Sequence, residues 1–206
     1  MFFKFLTYNK FKLKKWSRLS YSQRLKYCQK LERIEAKTLK RTEYQIVIKD
    51  MDDINLAGRC VSSQSQLLID DNYIKEDDKR FELMCTIFHE GRHAFQFEKI
   101  NSKKKHSIFS KAYWWKKNLE GYVNNSECGD KQSFYAMQPV ELDANNYALK
   151  RLKSFKFRFR KEPDYYDTTR YYEARIEKRE QQARKELGIF YKIKIAWRNY
   201  KERKKK

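Results

Sequence analysis

The hydrophobic and polar positions divide the chain into helical stretches and a few short strand-like segments. The strongest pattern covers residues 77 to about 98. At 100° per residue, seven apolar or small side chains there fall within an arc of roughly 140°. They are Phe81, Met84, Ile87, Phe88, Gly91, Ala94 and Phe95. The pattern predicts a long amphipathic helix whose apolar stripe faces a core.

Weaker patterns predict the other elements. A helix is predicted from Ser22, as its capping residue, to about Lys40. Another is predicted from Pro139 through Leu152, because proline suits the first helical position. Residues 44–49 and 65–70 predict two short strands, and Ala57-Gly58 predicts a turn. Residues 107–137 are aromatic and irregular, and a polar helix is expected from about residue 170 to residue 187.

Charge is distributed unevenly along the chain, whose formal net charge is +21. Residues 1–42 carry 13 Lys and Arg against 2 Asp and Glu, and residues 151–206 carry 20 against 8. The segment between them carries 15 against 17. We therefore expect a basic helical flank over residues 1–42, a central domain over residues 43–152 and a basic helical tail over residues 153–206.

Composition limits the class of protein. A chain of 206 residues, 40% of them hydrophobic, is long enough for one domain with a core. Its four cysteines lie far apart without a CxxC pair, which argues against a cysteine-based zinc knuckle. Lys4 and Lys10 interrupt the apolar N-terminus, and no stretch approaches the ~20 apolar residues of a membrane span. These features predict a cytoplasmic protein with reduced thiols and no transmembrane segment.

Candidate chemistry lies in the predicted long helix, where the chain reads His89-Glu90-Gly91-Arg92-His93. Histidines four residues apart lie on one helical face, one turn apart, and can bind one metal ion. This face is roughly 140° to 180° from the middle of the apolar stripe. Glu90 is then placed to take a proton from a zinc-bound water and to pass it to a leaving amine. The pattern predicts a zinc site in which Glu90 is the catalytic residue.

A catalytic zinc ion usually has three protein ligands, so a third must come from elsewhere in the chain. Glu141 is the favoured ligand, because on a helix it shares a face with Ala144 and Ala148, and two alanines permit close approach of another helix. His106, in a basic polar segment, is the alternative. Asp143 is a weaker option, since it points away from the alanine face.

The two motifs together resemble the glutamate-type zincins, or gluzincins, which combine HExxH on one helix with a Glu ligand on a later one. The stretch from Glu141 to Ala148, ELDANNYA, is similar to the Glu-x-x-Ala-Asn-x-x-Ala segment of ImmA/IrrE-type metallopeptidases of phage and mobile elements. The resemblance spans roughly residues 55–152. It implies His89, His93 and Glu141 as zinc ligands and Glu90 as base. It also implies an α+β fold, mainly helical, with a small antiparallel sheet packed on the HExxH helix. The activity expected is that of a zinc metalloendopeptidase acting on a protein substrate.

The flanks support a second interpretation, a nucleic-acid-binding protein whose zinc site is structural or inactive. Aromatic residues alternate with cations near the N-terminus (Phe2, Phe3, Phe5, Tyr8, Phe11 and Trp16) and from Phe155 to Arg160, and such residues stack on bases and neutralise phosphates. A half-buried strand would give the same pattern at Phe155 to Arg160. The basic flanks and His106 also resemble the Spartan-type proteases of DNA–protein crosslinks. A membrane-surface role for Trp114, Trp115 or Trp197 is a third alternative.

Overall fold

The computed structural model describes residues 2–51, 57–102, 107, 110–122, 135 and 138–181. Within them the helices are α1 (Phe2–Asn9), α2 (Leu13–Trp16), α3 (Tyr21–Leu39), α4 (Asp71–Lys75), α5 (Arg80–Ile100), α6 (Lys111–Glu120) and α7 (Pro139–Lys153). Residues 163–181 belong to a further helix, α8. The strands are β1 (Gln45–Lys49), β2 (Gly58–Val61) and β3 (Gln66–Asp70). The fold is α+β and mainly helical, as predicted.

The sheet is mixed, so the expectation of an antiparallel sheet was wrong. The strand order is β1-β3-β2, with β3 parallel to β1 and antiparallel to β2. A short 3₁₀ turn and Ser65, at φ 53°, connect β2 to β3, whereas β1 reaches β3 only through the longer segment that contains β2. Gly58 does not form the predicted turn but begins β2.

Several helix boundaries differ from the predicted ones for local reasons. Helix α3 begins two residues earlier than Ser22 implied, because Ser20 and Gln23 form a reciprocal capping box. Helix α8 begins at residue 163, a proline, instead of residue 170, and its predicted end lies outside the described residues. Helix α6 was not predicted; Ser110 caps it by accepting a hydrogen bond from the backbone N–H of Tyr113. Helix α7 matches its prediction closely.

Helix α5 is the central element of the structure. The predicted stripe is buried, apart from a half-buried Phe95. Positions outside the stripe, including Leu83, Cys85 and Thr86, are buried too. Helix α3 and the sheet contact one side of α5, and α7 and α6 cover another. A polar face of this helix is therefore enclosed between elements, which is the setting of the histidines.

One hydrophobic core contains residues from all three segments that the charge pattern distinguished. Tyr8, Phe11 and Trp16 are buried in it, as are Phe155 and Phe159. The first three are therefore not available for the base stacking expected of them. Residues 154–161 form turns and bends, not the alternative strand, and Phe157 alone among their phenylalanines is exposed.

Buried ion pairs connect these segments to α5 and to one another. The side chain of Arg80 contacts Asp164, binds Glu162 at 2.8 Å and donates to the Phe11 carbonyl at 2.8 Å. Arg151 of α7 binds Glu35 of α3, which also accepts a hydrogen bond from Tyr147 at 2.8 Å. Leaving such a charge without its partner typically costs 3–5 kcal/mol, so these contacts hold the terminal segments in place.

None of the helices in the described part of the chain combines the length and the apolar character that crossing a membrane requires. Trp115 is buried beside Phe95, and Trp114 is exposed, whereas Trp197 lies outside the described residues.

Candidate metal centre

His89 and His93 lie one turn apart on α5, and their imidazole rings converge. The two Nε2 atoms are 3.0 Å apart, and the ring planes cross at 81°. The side chains keep 18% and 13% of their exposure, so the ring edges are partly accessible to solvent. Two lone-pair atoms this close repel one another unless a proton or a cation lies between them.

Glu141 comes from the first turn of α7 and completes a triangle with the two rings. Its Oε2 lies 3.4 Å from Nε2 of His89, and its Oε1 lies 3.4 Å from Nε2 of His93. Ala144 and Ala148 on the same face are fully buried against neighbouring elements. Their small side chains permit the close approach of α7 to α5 that brings the carboxylate within reach.

The three groups fit a tetrahedral metal ion. Ligands at about 2.0–2.1 Å from such an ion lie roughly 3.3–3.4 Å from one another. Each Nε2 lies 3.4 Å from a different oxygen of Glu141, and the His–His separation of 3.0 Å is slightly shorter than this value. Two imidazoles and one carboxylate are a donor set typical of catalytic zinc. Among the described residues these side chains form a group able to hold a metal ion.

The other two candidate ligands are differently placed. His106 lies outside the described residues. Asp143, the weaker option, faces away from the triangle: it accepts a hydrogen bond from Nε of Arg92 at 2.6 Å and one from Nζ of Lys111 at 2.9 Å. Burial raises the pKa of Asp143, but these two cations lower it below its usual value.

The pKa values of His93 and Glu141 are set by their burial and by the opposite charge of the neighbouring group. Burial alone would lower the pKa of His93, yet the adjacent Glu141 carboxylate raises it to about 9. Burial opposes ionisation of Glu141 in turn, but the two imidazoles hold its pKa well below the usual value. The centre therefore retains a positive charge beside Glu141, and a metal ion would replace that proton.

Gln96 fixes the orientation of His93 and was not found from the sequence. Its amide nitrogen faces two acceptors, the Val140 carbonyl at 3.0 Å and Oδ2 of Asp143 at 3.1 Å. Its oxygen must therefore be the atom 2.8 Å from Nδ1 of His93, which donates to it. Nε2 is then the atom that faces the triangle, where it carries a proton in the metal-free protein and would hold a metal ion in its place. The sequence signal that could have identified Gln96 is its position three residues after the ligand His93 on the same helix.

Arg92, between the two histidines, connects α5 to α6 and α7. Besides binding Asp143, its guanidinium packs over the rings of Phe95, Trp115 and Tyr147, at 4.5 to 5.5 Å from their centroids. This packing joins the HExxH helix to the helix that carries Glu141.

Glu90 lies beside the triangle and is buried. Its Oε1 is 3.9 Å from Nε2 of His89. Strand β2 packs against it: a Cβ at Gly58 would lie 3.3 Å from Cγ of Glu90 and 2.7 Å from Cγ2 of Thr86. Glycine at position 58 therefore lets the edge of the sheet reach the site.

Two tyrosines from the aromatic segment also approach the centre. The hydroxyl of Tyr122 donates to Oε1 of Glu141 at 2.7 Å, and the ring of Tyr135 lies 6.0 Å from that of Tyr122. Burial, and then the charge of Glu141, raise the pKa of both phenols, so they remain neutral donors. Nothing in the sequence pattern of residues 107–137 indicated this role.

Comparison of the chain with known protein families, with curated proteins and with solved structures finds no match.

Proposed function

We propose that this chain is a zinc-dependent metalloendopeptidase in which His89, His93 and Glu141 hold the metal and Glu90 is the general base. The observation that supports this proposal is the convergence of two imidazole nitrogens, 3.0 Å apart, on the Glu141 carboxylate, each of whose oxygens lies 3.4 Å from one of them. The Glu90 carboxylate lies beside this group. A bound zinc ion supplies a Lewis acid that polarises a carbonyl and lowers the pKa of water to about 7.

Glu90 performs the proton transfers. Its carboxylate lies 3.9 Å from Nε2 of His89, where it would accept a proton from an attacking water and return it to the departing amine. Tyr122 and Gln96 orient Glu141 and His93 through hydrogen bonds of 2.7 and 2.8 Å. The protein thus provides a base, a metal-binding triangle and a shell of donors that fixes it.

The position of β2 favours a peptide as substrate. Within the described residues β2 pairs only with β3, at the edge of the sheet, and Gly58 packs against Glu90. An extended peptide can add to such an edge through backbone hydrogen bonds. Its scissile carbonyl would then lie near Glu90 and the two histidines. An unfolded or extended protein segment is therefore the substrate class that we propose.

Metal analysis and peptide cleavage by the purified full chain test this proposal. We expect about one zinc per chain, and we expect Glu90→Gln to retain that metal while cleavage of an unfolded protein such as casein falls at least 100-fold. Glu82→Gln, the same change about two turns earlier on α5, is the matched control and should retain both. A Glu90→Gln variant that cleaves as fast as the parent contradicts the assignment of the base.

The ligand set has its own test. Glu141→Ala should lose bound zinc, measured by mass spectrometry of the native protein, whereas His106→Ala should retain it. If His106→Ala loses the metal and Glu141→Ala does not, the third ligand is the histidine. If both variants retain zinc at the parent affinity, the proposed centre is wrong.

A further inference from the structure

A second polar region lies at the beginning of α5, away from the histidines. Arg80, the first residue of α5, donates to the Phe11 carbonyl and binds Glu162, which also accepts from the backbone N–H of Leu13 at 3.0 Å. Residues 9–18 and 157–162 are thereby held next to each other. His89 follows Arg80 by nine residues, which is about 14 Å along the helix axis.

Two surface grooves border the segment around α2. One is lined by Asn9, Lys12 and residues 157, 158 and 160–162, and the other by Lys10, Lys14, Lys15, Arg18, Leu19 and Gln23. The basic surface consists of the side chains of Lys12, Lys14, Lys15, Arg18, Arg160 and Lys161. All of them are at least partly exposed.

The charge of the basic surface is not balanced locally. The sequence contains no Asp or Glu before residue 32 and none between Asp143 and Glu162. Glu162 itself is bound by Arg80 and by the Leu13 N–H. Within the described parts of the chain, none of the six cations forms an ion pair with a carboxylate. This local excess is the arrangement that attracts a polyanion.

An exposed aromatic ring stands in the same region. Phe157 is 81% exposed, although its neighbours Phe155 and Phe159 are buried in the core and fix the turn that carries it. The guanidinium of Arg160 lies 4.9 Å from the centre of the Phe157 ring. One ring face is therefore supported by a cation and the remainder is open to a ligand.

We propose that the basic surface, with Phe157, binds single-stranded nucleic acid. The lysines and arginines neutralise consecutive phosphates, and a base stacks on Phe157, which requires an unpaired base with an accessible face. The duplex form offers the phosphates but not the base. This surface is separate from the metal centre, so the proposal does not depend on peptidase activity.

An anionic membrane would also be attracted to the cations of the basic surface. The exposed apolar side chains of this region, however, suit a membrane less well than they suit a nucleic acid. Membrane-surface segments present several large apolar side chains on one face. Among the described side chains of this region, Phe157 alone is strongly exposed, whereas Leu6 and Leu13 retain 45% and 46%. The grooves are also lined mainly by polar and charged side chains.

Fluorescence anisotropy with a labelled 20-nucleotide oligo(dT), measured with the full chain at several salt concentrations, tests the proposal. Phe157→Ala should weaken binding roughly 5- to 150-fold while the salt dependence stays unchanged. Lys12→Ala/Lys161→Ala should weaken binding and reduce the slope of log K against log salt by about 1.4, or about 0.7 for each lost phosphate contact.

The matched control is Lys99→Ala/Lys116→Ala, which removes the same charge elsewhere. Lys99 follows Arg80 by 19 residues on α5, about 28 Å along the axis, so this variant should bind oligo(dT) as the parent does. Equal loss in both double variants would show diffuse attraction to net charge and overturn the proposal. Glu90→Gln should bind like the parent, which separates this surface from the peptidase function.

Phe157→Leu distinguishes the two kinds of polyanion. It retains an apolar side chain but removes the stacking face, so we expect loss of oligo(dT) binding comparable with that of Phe157→Ala. Binding to vesicles of phosphatidylserine and phosphatidylcholine is measured alongside. If the parent binds these vesicles and not oligo(dT), and Phe157→Leu retains vesicle binding, the surface is a membrane contact and the proposal fails.

Discussion

Two polar clusters contact α5 on different sides, and their charged groups are arranged in opposite ways. Behind Gly91, the guanidinium of Arg41 binds both carboxylate oxygens of Glu32 at 2.6 Å, and both side chains are completely buried. Each charged oxygen there faces a donor. At His89, His93 and Glu141, two imidazole nitrogens and a carboxylate face one another instead. In the first cluster the carboxylate has its partners within the protein, although Nε of Arg41 has none among the described residues, whereas the second cluster is suited to a cation.

The largest expected effect comes from removing one partner of the buried Arg41–Glu32 ion pair. Arg41→Leu leaves Glu32 buried without its partner, and burial already raises the pKa of that carboxyl in spite of Arg41. We expect a loss of about 3–5 kcal/mol in the free energy of unfolding, measured by urea denaturation. Glu32→Leu/Arg41→Leu should recover most of this loss. Equal destabilisation by the single and double variants would contradict the comparison.

Supplying a cation should stabilise the second cluster by a smaller amount. At a zinc concentration 100 times the dissociation constant, the folded state gains about 2.7 kcal/mol, seen as a rise in the melting temperature of chelator-treated protein. Glu141→Gln should abolish this rise because it removes a charged ligand. Zinc that stabilises Glu141→Gln as much as the parent would show that the metal binds elsewhere.

Residues that orient the metal ligands should contribute less to stability than the bound cation does. Gln96→Leu removes the acceptor of the Nδ1 proton of His93, and such outer partners typically change metal affinity 10- to 100-fold. Competition with a chromophoric chelator measures this affinity. Gln96→Glu retains an acceptor at this position and should lose less. An unchanged zinc affinity in Gln96→Leu would exclude the orienting role.

The smallest expected effect is a pH dependence of the metal-free protein. The folded pKa of His93 is about 9, above its ordinary value of 6.5, so the folded state holds a proton that the unfolded state releases between these values. The contribution of His93 is complete below about pH 6.5 and declines as the pH rises towards 9. His93→Gln should lack this decline in denaturation measured across that range.

Prediction from sequence succeeded where the relevant interactions are local. The apolar stripe of α5, the proline start of α7 and the strands around Ile46 and Leu67 depend on periodicity and on residues close in the chain. The face shared by Glu141, Ala144 and Ala148 follows from the same rule. Helix α6 and the capping of α3 by Ser20 were missed because their signals are short and compete with nearby alternatives.

The sequence by itself determined that His89 and His93 share one helical face, because a turn of backbone hydrogen bonds imposes that spacing on any α-helix. It also determined the excess of positive charge near both termini. Only the tertiary structure decided that Glu141 reaches both rings, that Gln96 orients one of them, and that Phe157 is exposed while Phe11 and Trp16 are buried. Those outcomes depend on packing between distant segments, which no local pattern encodes.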